Sequence, residues 1–202
     1  MILAGGRATR LGGLDKATLQ IGGRPLIDRV LEGLDNTDGL PTPVRVILVG
    51  PTPTGHPRPH LDVVREDPPF SGPLAAVDAG VRAVGTAWVG ILAVDIPHGP
   101  AALARLIAAA PEGAVTGLVA ADERGRLAPA ALLRTTETRA RLVDLARRDG
   151  LANQPLRALF QMAGVTPIVV SPELLADVDT ANDLERDWDH GDPRMRQPKL
   201  TP

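Results

Sequence analysis

Short apolar runs alternate with amphipathic stretches of helical period along this 202-residue chain. The runs Met1–Ala4, Val44–Val49, Asp62–Arg65, Trp88–Val94, Ala114–Ala120, Ala128–Leu133 and Thr166–Val170 have the length of strands. VRVILVG and WVGILAVD are apolar at successive positions, the pattern of parallel strands buried on both faces. Helices are predicted to begin at Pro25, Pro73, Pro100, Thr135, Pro155 and Thr180. Four of these starts put Pro in the first turn, where its missing N–H leaves no hydrogen bond unmade. Over Pro25–Asp35 the apolar residues Leu26, Ile27, Val30, Leu31 and Leu34 share one face. Strand and helix in alternation predict a single-domain, Rossmann-like α/β fold, a mostly parallel mixed sheet with helices on both faces. The segment Pro51–Pro59 is rich in Pro and polar residues and reads as a surface loop, and residues 189–202 lack periodicity. The expected organisation is therefore a domain over 1–188 and a disordered tail over 189–202.

Composition narrows the class of partner. The net charge of −2 gives no general affinity for nucleic acid or an anionic membrane surface. No stretch approaches the ~20 apolar residues of a membrane span, and the opening residues lack the charged-then-apolar pattern of a secretion signal. Cysteine is absent, which excludes disulfides and thiolate metal ligands and favours a reducing compartment. The expected setting is cytoplasmic. Tyr is absent and Phe and Trp total four, so the core must be aliphatic and stacking on aromatic rings is not a recognition mode to expect.

The chemistry concentrates at the start. MILAGGRATRLGGLDK runs from a short strand into a loop with Gly5, Gly6, Gly12 and Gly13, and with Arg7, Arg10 and Lys16 among them. Such a loop offers unobstructed backbone N–H groups beside cations, which suits a phosphate chain. It matches neither the Walker pattern nor GxGxxG, and paired glycines can also serve a tight turn. Of 22 basic residues only Lys16 and Lys199 are Lys. An ammonium on a flexible stem can follow a moving phosphate better than a planar guanidinium.

Asp95 closes the run Val89–Val94 ahead of Ile96 and Pro97. A carboxylate at the carboxyl end of a central parallel strand lies where α/β sheets bind ligands, although it could equally cap the helix expected near Pro100. Asp67 closes the Asp62–Arg65 strand in the same way. Two carboxylates at neighbouring strand ends, facing a cationic loop, would suit Mg2+ bound between protein and a nucleoside triphosphate. In DVDTANDL, Thr180 and Asp183 have capping spacing, and Asp179 could reach the same crevice. His56, His60, His98 and His190 have no metal-ligand spacing, and Ser71 and Ser171 read as structural.

With these pieces in order, the chain resembles the nucleotidyltransferases of the molybdenum cofactor guanylyltransferase type. The matching segments are LAGGRATRLGGLDK (3–16), IGGRPLIDRV (21–30), EDPPFSGPLAA (66–76), AVDIP (93–97) and DVDTANDL (177–184). The resemblance implies transfer of GMP from GTP to molybdopterin or its molybdenum-bearing form, with release of pyrophosphate and with Mg2+ as cofactor. It implies that Leu3, Ala4, Gly5 and Gly6 line the nucleotide site, with Lys16, Asp67 and Asp95. Lys16, Asp95 and Arg10 would be catalytic and Asp95 the metal ligand. Gly72, Pro73 and Asp179 would shape the acceptor side. Protein partners implied are molybdenum cofactor biosynthesis proteins or target-enzyme chaperones.

Within that superfamily LAGG accompanies guanylyl transfer where molybdopterin cytidylyltransferases read LAAG, and a second Gly leaves room for a purine. Three features depart from the pattern: a first strand that begins two residues before Leu3, Ala128 before Pro129 where relatives carry Gln or His, and Gly50 where they are often polar. The alternatives are a nucleotidyltransferase using CTP or another acceptor, such as a sugar phosphate or methylerythritol phosphate, and a non-catalytic nucleotide-binding homologue.

Overall fold

A computed structural model describes residues 1–8, 14–42, 44–51, 59–111 and 115–184. Strand β1 (Ile2–Leu3) leads into two short hairpins, β2 (Arg7–Ala8) with β3 (Leu14–Asp15) and β4 (Gln20–Ile21) with β5 (Arg24–Pro25). Then follow α1 (Leu26–Asn36), β6 (Val46–Val49), β7 (Leu61–Val64), α2 (Pro73–Val81), β8 (Trp88–Ala93), α3 (Gly99–Ala108) and β9 (Gly117–Ala121). The chain continues through β10 (Leu127–Arg134), α4 (Thr135–Arg148), α5 (Arg157–Phe160), β11 (Val165–Val169) and α6 (Ala181–Leu184).

One seven-stranded sheet organises these elements in the order β11-β9-β10-β8-β1-β6-β7. Strand β10 runs antiparallel to both of its neighbours, and every other pairing is parallel. The expected α/β architecture is therefore observed, with a mixed, mostly parallel sheet. Strand β1 is short but central, with Ile2 opposite both Leu48 and Leu92. Its pairing is prolonged where Ala4 N–H donates to the Val49 carbonyl at 2.8 Å and Val94 N–H to that of Leu3 at 3.1 Å.

Alternate residues of the central strands feed two cores. Ile2, Leu48 and Leu92 pack with Leu26 and Val30 of α1 and Leu106 of α3, while Val49 and Ile91 pack with Leu74 and Val77 of α2, Leu142 of α4 and Leu159 of α5. Helices thus cover both faces. Each fully buried Leu or Ile contributes roughly 1.5–3 kcal/mol, so this aliphatic core needs few aromatics. Among the described residues no helix is long and apolar enough to cross a membrane.

All seven expected strands and all six expected helices are present, with shifted ends. Of the four prolines expected in a first helical turn, Pro73 and Pro100 occupy one. Pro25 is extended, with ψ 143°, because it pairs with Gln20 in the β4–β5 hairpin, so α1 starts one residue later. Pro155 precedes α5, which starts at Arg157, and its carbonyl accepts the Ala158 N–H at 3.1 Å. Most of the Pro51–Pro59 loop, His56 and the expected tail over 189–202 lie outside the described residues.

Candidate active site

Parallel pairing of β1, β6, β7 and β8 brings their carboxyl ends to one edge of the sheet, where open α/β sheets leave a crevice for ligands. Ala4, Gly5 and Gly6 leave that edge from the end of β1, and Asp95 leaves it after β8. The glycine loop returns through β3 so that Lys16 N–H donates to the Gly6 carbonyl at 3.3 Å. From there the Lys16 stem lies along Gly6, and its Nζ donates to Asp95 Oδ2 at 2.7 Å and to Asp179 Oδ1. Three residues expected in the site from separate motifs therefore meet at one ammonium.

Asp179 is held there by its neighbours. Val178 is buried and its N–H donates to the Asp95 carbonyl at 2.9 Å. The Asp183 carboxylate accepts the Asp179 N–H at 3.2 Å, the Thr180 N–H at 2.8 Å and the Thr180 hydroxyl at 2.7 Å. The capping function anticipated for the Thr180–Asp183 pair is thus performed by the carboxylate reaching back. The alternative cap role for Asp95 does not hold. His98 occupies the N-cap position of α3 and no side chain caps that helix.

Electrostatics follow from this clustering. Burial pulls the Lys16 ammonium down, but the Asp95 charge, the hydrogen bonds it donates to both carboxylates and the Asp179 charge together hold it above the usual lysine range. Asp177 is also raised, which for a carboxylate disfavours the charged form. Partial burial first, then the Asp179 and Asp95 charges, raise it above the ordinary Asp range, against some relief from Lys16.

Among the described residues no three His, Cys, Asp or Glu side chains converge as a ready metal cage. Mg2+ bound with a nucleotide needs only one or two carboxylates, because phosphates and waters complete its shell. Asp95 fits that requirement: Oδ2 takes the Lys16 ammonium, while Oδ1 is buried and has no hydrogen-bond partner.

Other expected residues are placed less centrally. Asp67 is exposed, and it does not stand at a strand end neighbouring that of Asp95, because β6 and β1 intervene between β7 and β8. The pairing of those two strand ends is therefore corrected: they flank the glycine loop instead of adjoining each other. Gly72 and Pro73 begin α2, whose N-terminus points to the same edge. Gly72 has φ +94°, and a Cβ there would come within 3.1 Å of Asn153 Cα, whose N–H donates to the Ser71 carbonyl at 2.7 Å. Arg10, Gly12 and Gly13 lie outside the described residues.

Two features were not anticipated. Glu66, beside Asp67, is 4% exposed and turns inward against Gly5. The room left by Gly5 opens on that carboxylate, not on empty space for a purine: a Cβ there would lie 3.3 Å from Glu66 Oε1. Next to Asp95, a cleft of about 840 Å3 is floored by Ile96, Leu127, Ala128, Pro129 and Leu175 and edged by Asp177 and the Asp122–Arg126 turn. In that turn Asp122 Oδ1 accepts the N–H groups of Arg124 and Arg126, which with the Arg126 side chain lower its carboxyl below the usual range. A charged turn after an apolar strand was the only sequence signal for this wall.

Comparison with known proteins agrees with the architecture. The family profile described as MobA-like NTP transferase domain matches residues 1–167. Molybdenum cofactor guanylyltransferase of Serratia proteamaculans is 40% identical over 104 residues, covering 51% of each chain. The protein of that name from Cereibacter sphaeroides is 38% identical over 133 residues, 64% of this chain and 65% of its own. The chain thus spans about half to two thirds of the length of these curated relatives. Among solved structures, molybdopterin-guanine dinucleotide biosynthesis protein A of Archaeoglobus fulgidus superposes with a TM-score of 0.63 at 18% identity, covering 91% of this chain and 93% of its own. The profile spans most of the strands and helices described above, including Lys16, Glu66 and Asp95, and on that match the chain belongs to the MobA-like NTP transferase domain family.

Proposed function

We propose that this chain is a Mg2+-dependent guanylyltransferase that moves GMP from GTP to molybdopterin or molybdenum-molybdopterin and releases pyrophosphate. The observation that carries the reading is the Lys16 ammonium, held between Asp95 and Asp179 at the carboxyl edge beside Gly5 and Gly6. Curated relatives named molybdenum cofactor guanylyltransferase support the choice of nucleotide and acceptor.

In this reading the backbone from Leu3 to Gly6 lines the nucleotide, and Asp67 contacts the guanosine portion. Lys16 trades its carboxylate partners for triphosphate oxygens and neutralises charge as it develops in the transition state. Asp95 Oδ1 would hold Mg2+, which bound there neutralises phosphate charge and fixes its geometry. Gly72, Pro73 and Asp179 shape the acceptor side, and the cleft beside Asp177 receives the body of the acceptor. A phosphate oxygen of the acceptor attacks the α-phosphorus in line. The new P–O bond forms as the bond from the α-phosphorus to the bridging oxygen breaks, and pyrophosphate leaves with that oxygen. No protein nucleophile is required.

Thermal shifts with GTP, CTP, ATP and UTP in the presence of Mg2+, followed by pyrophosphate release with molybdopterin, test the reading. Stabilisation by GTP above the others and acceptor-dependent release are expected. Preference for CTP would overturn the base assignment, and tight GTP binding without turnover would favour a non-catalytic homologue.

A further inference from the structure

Glu66 is a charged residue only 4% exposed. It stands in the loop after β7, where Oε1 accepts the Phe70 N–H at 2.8 Å. Oε2 is sheltered from water and has no hydrogen-bond partner. A carboxylate oxygen in that condition is costly to keep, because its hydration has been lost and nothing replaces it. The surroundings are arranged to admit it. Gly5 has no side chain, and a Cβ there would lie 3.3 Å from Oε1 and 3.8 Å from Oε2. On the β6 side the same backbone turn is packed against Gly50, where a Cβ would sit 2.9 Å from the Ala4 carbonyl carbon and 3.0 Å from the Gly5 nitrogen. The carboxylate therefore rests directly against the backbone turn that the guanylyltransferase reading gives to the nucleotide.

An ionised carboxylate only accepts hydrogen bonds. The ligand edge that satisfies it best carries two adjacent donors, as guanine does with N1–H and its 2-amino group. Cytosine and adenine set their amino donor next to an acceptor nitrogen, which a carboxylate repels. Uracil offers a single N–H between two carbonyls. We propose that Glu66 reads the base: its carboxylate accepts from N1–H and the 2-amino group of a guanine seated on Gly5–Gly6. This proposal rests on the guanylyltransferase reading and adds a specificity-determining residue to it. Gly5 is then the residue that lets the reader approach, and Asp67, exposed beside Glu66, is left to contact the guanosine elsewhere.

The test compares GTP with inosine triphosphate, which keeps N1–H but lacks the 2-amino group, by calorimetric binding in wild type and Glu66→Gln. Wild type is expected to bind inosine triphosphate about tenfold or more weakly than GTP, the worth of one hydrogen bond to a charged acceptor. In Glu66→Gln that ratio should fall to within about threefold, chiefly through weaker GTP binding. A role confined to holding the Phe70 N–H would lower the melting temperature and weaken both nucleotides equally. Wild type that binds the two nucleotides alike overturns the proposal without any variant, as does a Glu66→Gln protein that keeps the full ratio. Failure of wild type to bind any nucleoside triphosphate would overturn the guanylyltransferase reading itself.

Discussion

Lys16 and Asp95 are separated by 79 residues of chain, and Lys16 Nζ meets Asp95 Oδ2 at 2.7 Å. The contact joins the return of the glycine loop, just after β3, to the end of β8, which pairs directly with β1 in the centre of the sheet. Only 16% and 19% of the two side-chain surfaces are exposed, so the attraction is screened less than at an open surface. The ammonium is also the cation that Asp179 requires, so one side chain serves three motifs.

Replacement of Lys16 by Met is expected to lower kcat for GTP by about 100- to 1000-fold, the usual loss when one preorganised charge-stabilising donor is removed. Rapid-quench turnover measurements would check it. A loss of a few-fold only would mean that Lys16 serves the resting fold and not the transfer.

The same variant has a pH signature. Because Lys16 is held above the usual lysine range, its contribution to stability is complete below the unfolded lysine value of about 10.4 and is lost as pH rises through the higher folded value. The difference in melting temperature between wild type and Lys16→Met should be flat from neutral pH to about 10 and should shrink above that.

Asp177 gives the same sign of pH dependence as Lys16, but in the acid range. Its raised folded value means that the native state binds its proton more tightly, so its ionisation destabilises the fold once pH exceeds the ordinary Asp range and the folded value above it. Asp177→Asn should therefore melt higher than wild type at neutral pH. The gain should fade as the buffer is acidified into the carboxylate range, as a melting series across pH would record.

At Gly50 the backbone has φ +154°, and a Cβ would lie 2.9 Å from the Ala4 carbonyl carbon and 3.0 Å from the Gly5 nitrogen. Gly50→Ala must move either β6 or the start of the glycine loop. A loss of roughly 2–4 kcal/mol in denaturant unfolding is expected, together with weaker GTP binding. Gly125→Ala supplies the comparison: its φ is +76°, nothing lies within 4 Å of the added methyl, and the cost should stay near the conformational share alone, about 1 kcal/mol.

Arg126 edges the cleft with most of its side chain in solvent, while the Asp122 carboxylate is held by two backbone N–H groups as well. The turn should therefore survive Arg126→Ala. Steady-state kinetics are expected to show a KM for molybdopterin raised about three- to tenfold with the KM for GTP unchanged. Equal changes in both would remove Arg126 from the acceptor side.

Much of this arrangement was legible in the sequence, for identifiable reasons. VRVILVG and WVGILAVD lie in the sheet interior and cannot alternate, so their strands stood out, and Asp95 was conspicuous as the first charge after one of them. Lys16 was conspicuous because Arg fills nearly every other basic position. The order of strands was not legible, and with it the wrong adjacency of Asp67 and Asp95: spacing along the chain does not say that β1 and β6 insert between β8 and β7. The union of Lys16 with Asp179, 163 residues on, has the same origin. Glu66 was missed because two acids stand side by side after β7, and only the local path of the chain decides that Glu66 turns inward while Asp67 faces solvent. The hairpins β2–β3 and β4–β5 are too short to leave a periodic signature.

The most direct measurement follows label from α-32P GTP into the acceptor product, with molybdopterin and Mg2+, in wild type and Asp95→Asn. The account predicts a labelled guanine dinucleotide formed with one pyrophosphate per transfer in wild type, and at least about a hundredfold slower in the variant. Labelled product at equal rates in the two proteins, or none in wild type under conditions where GTP binds, would contradict it.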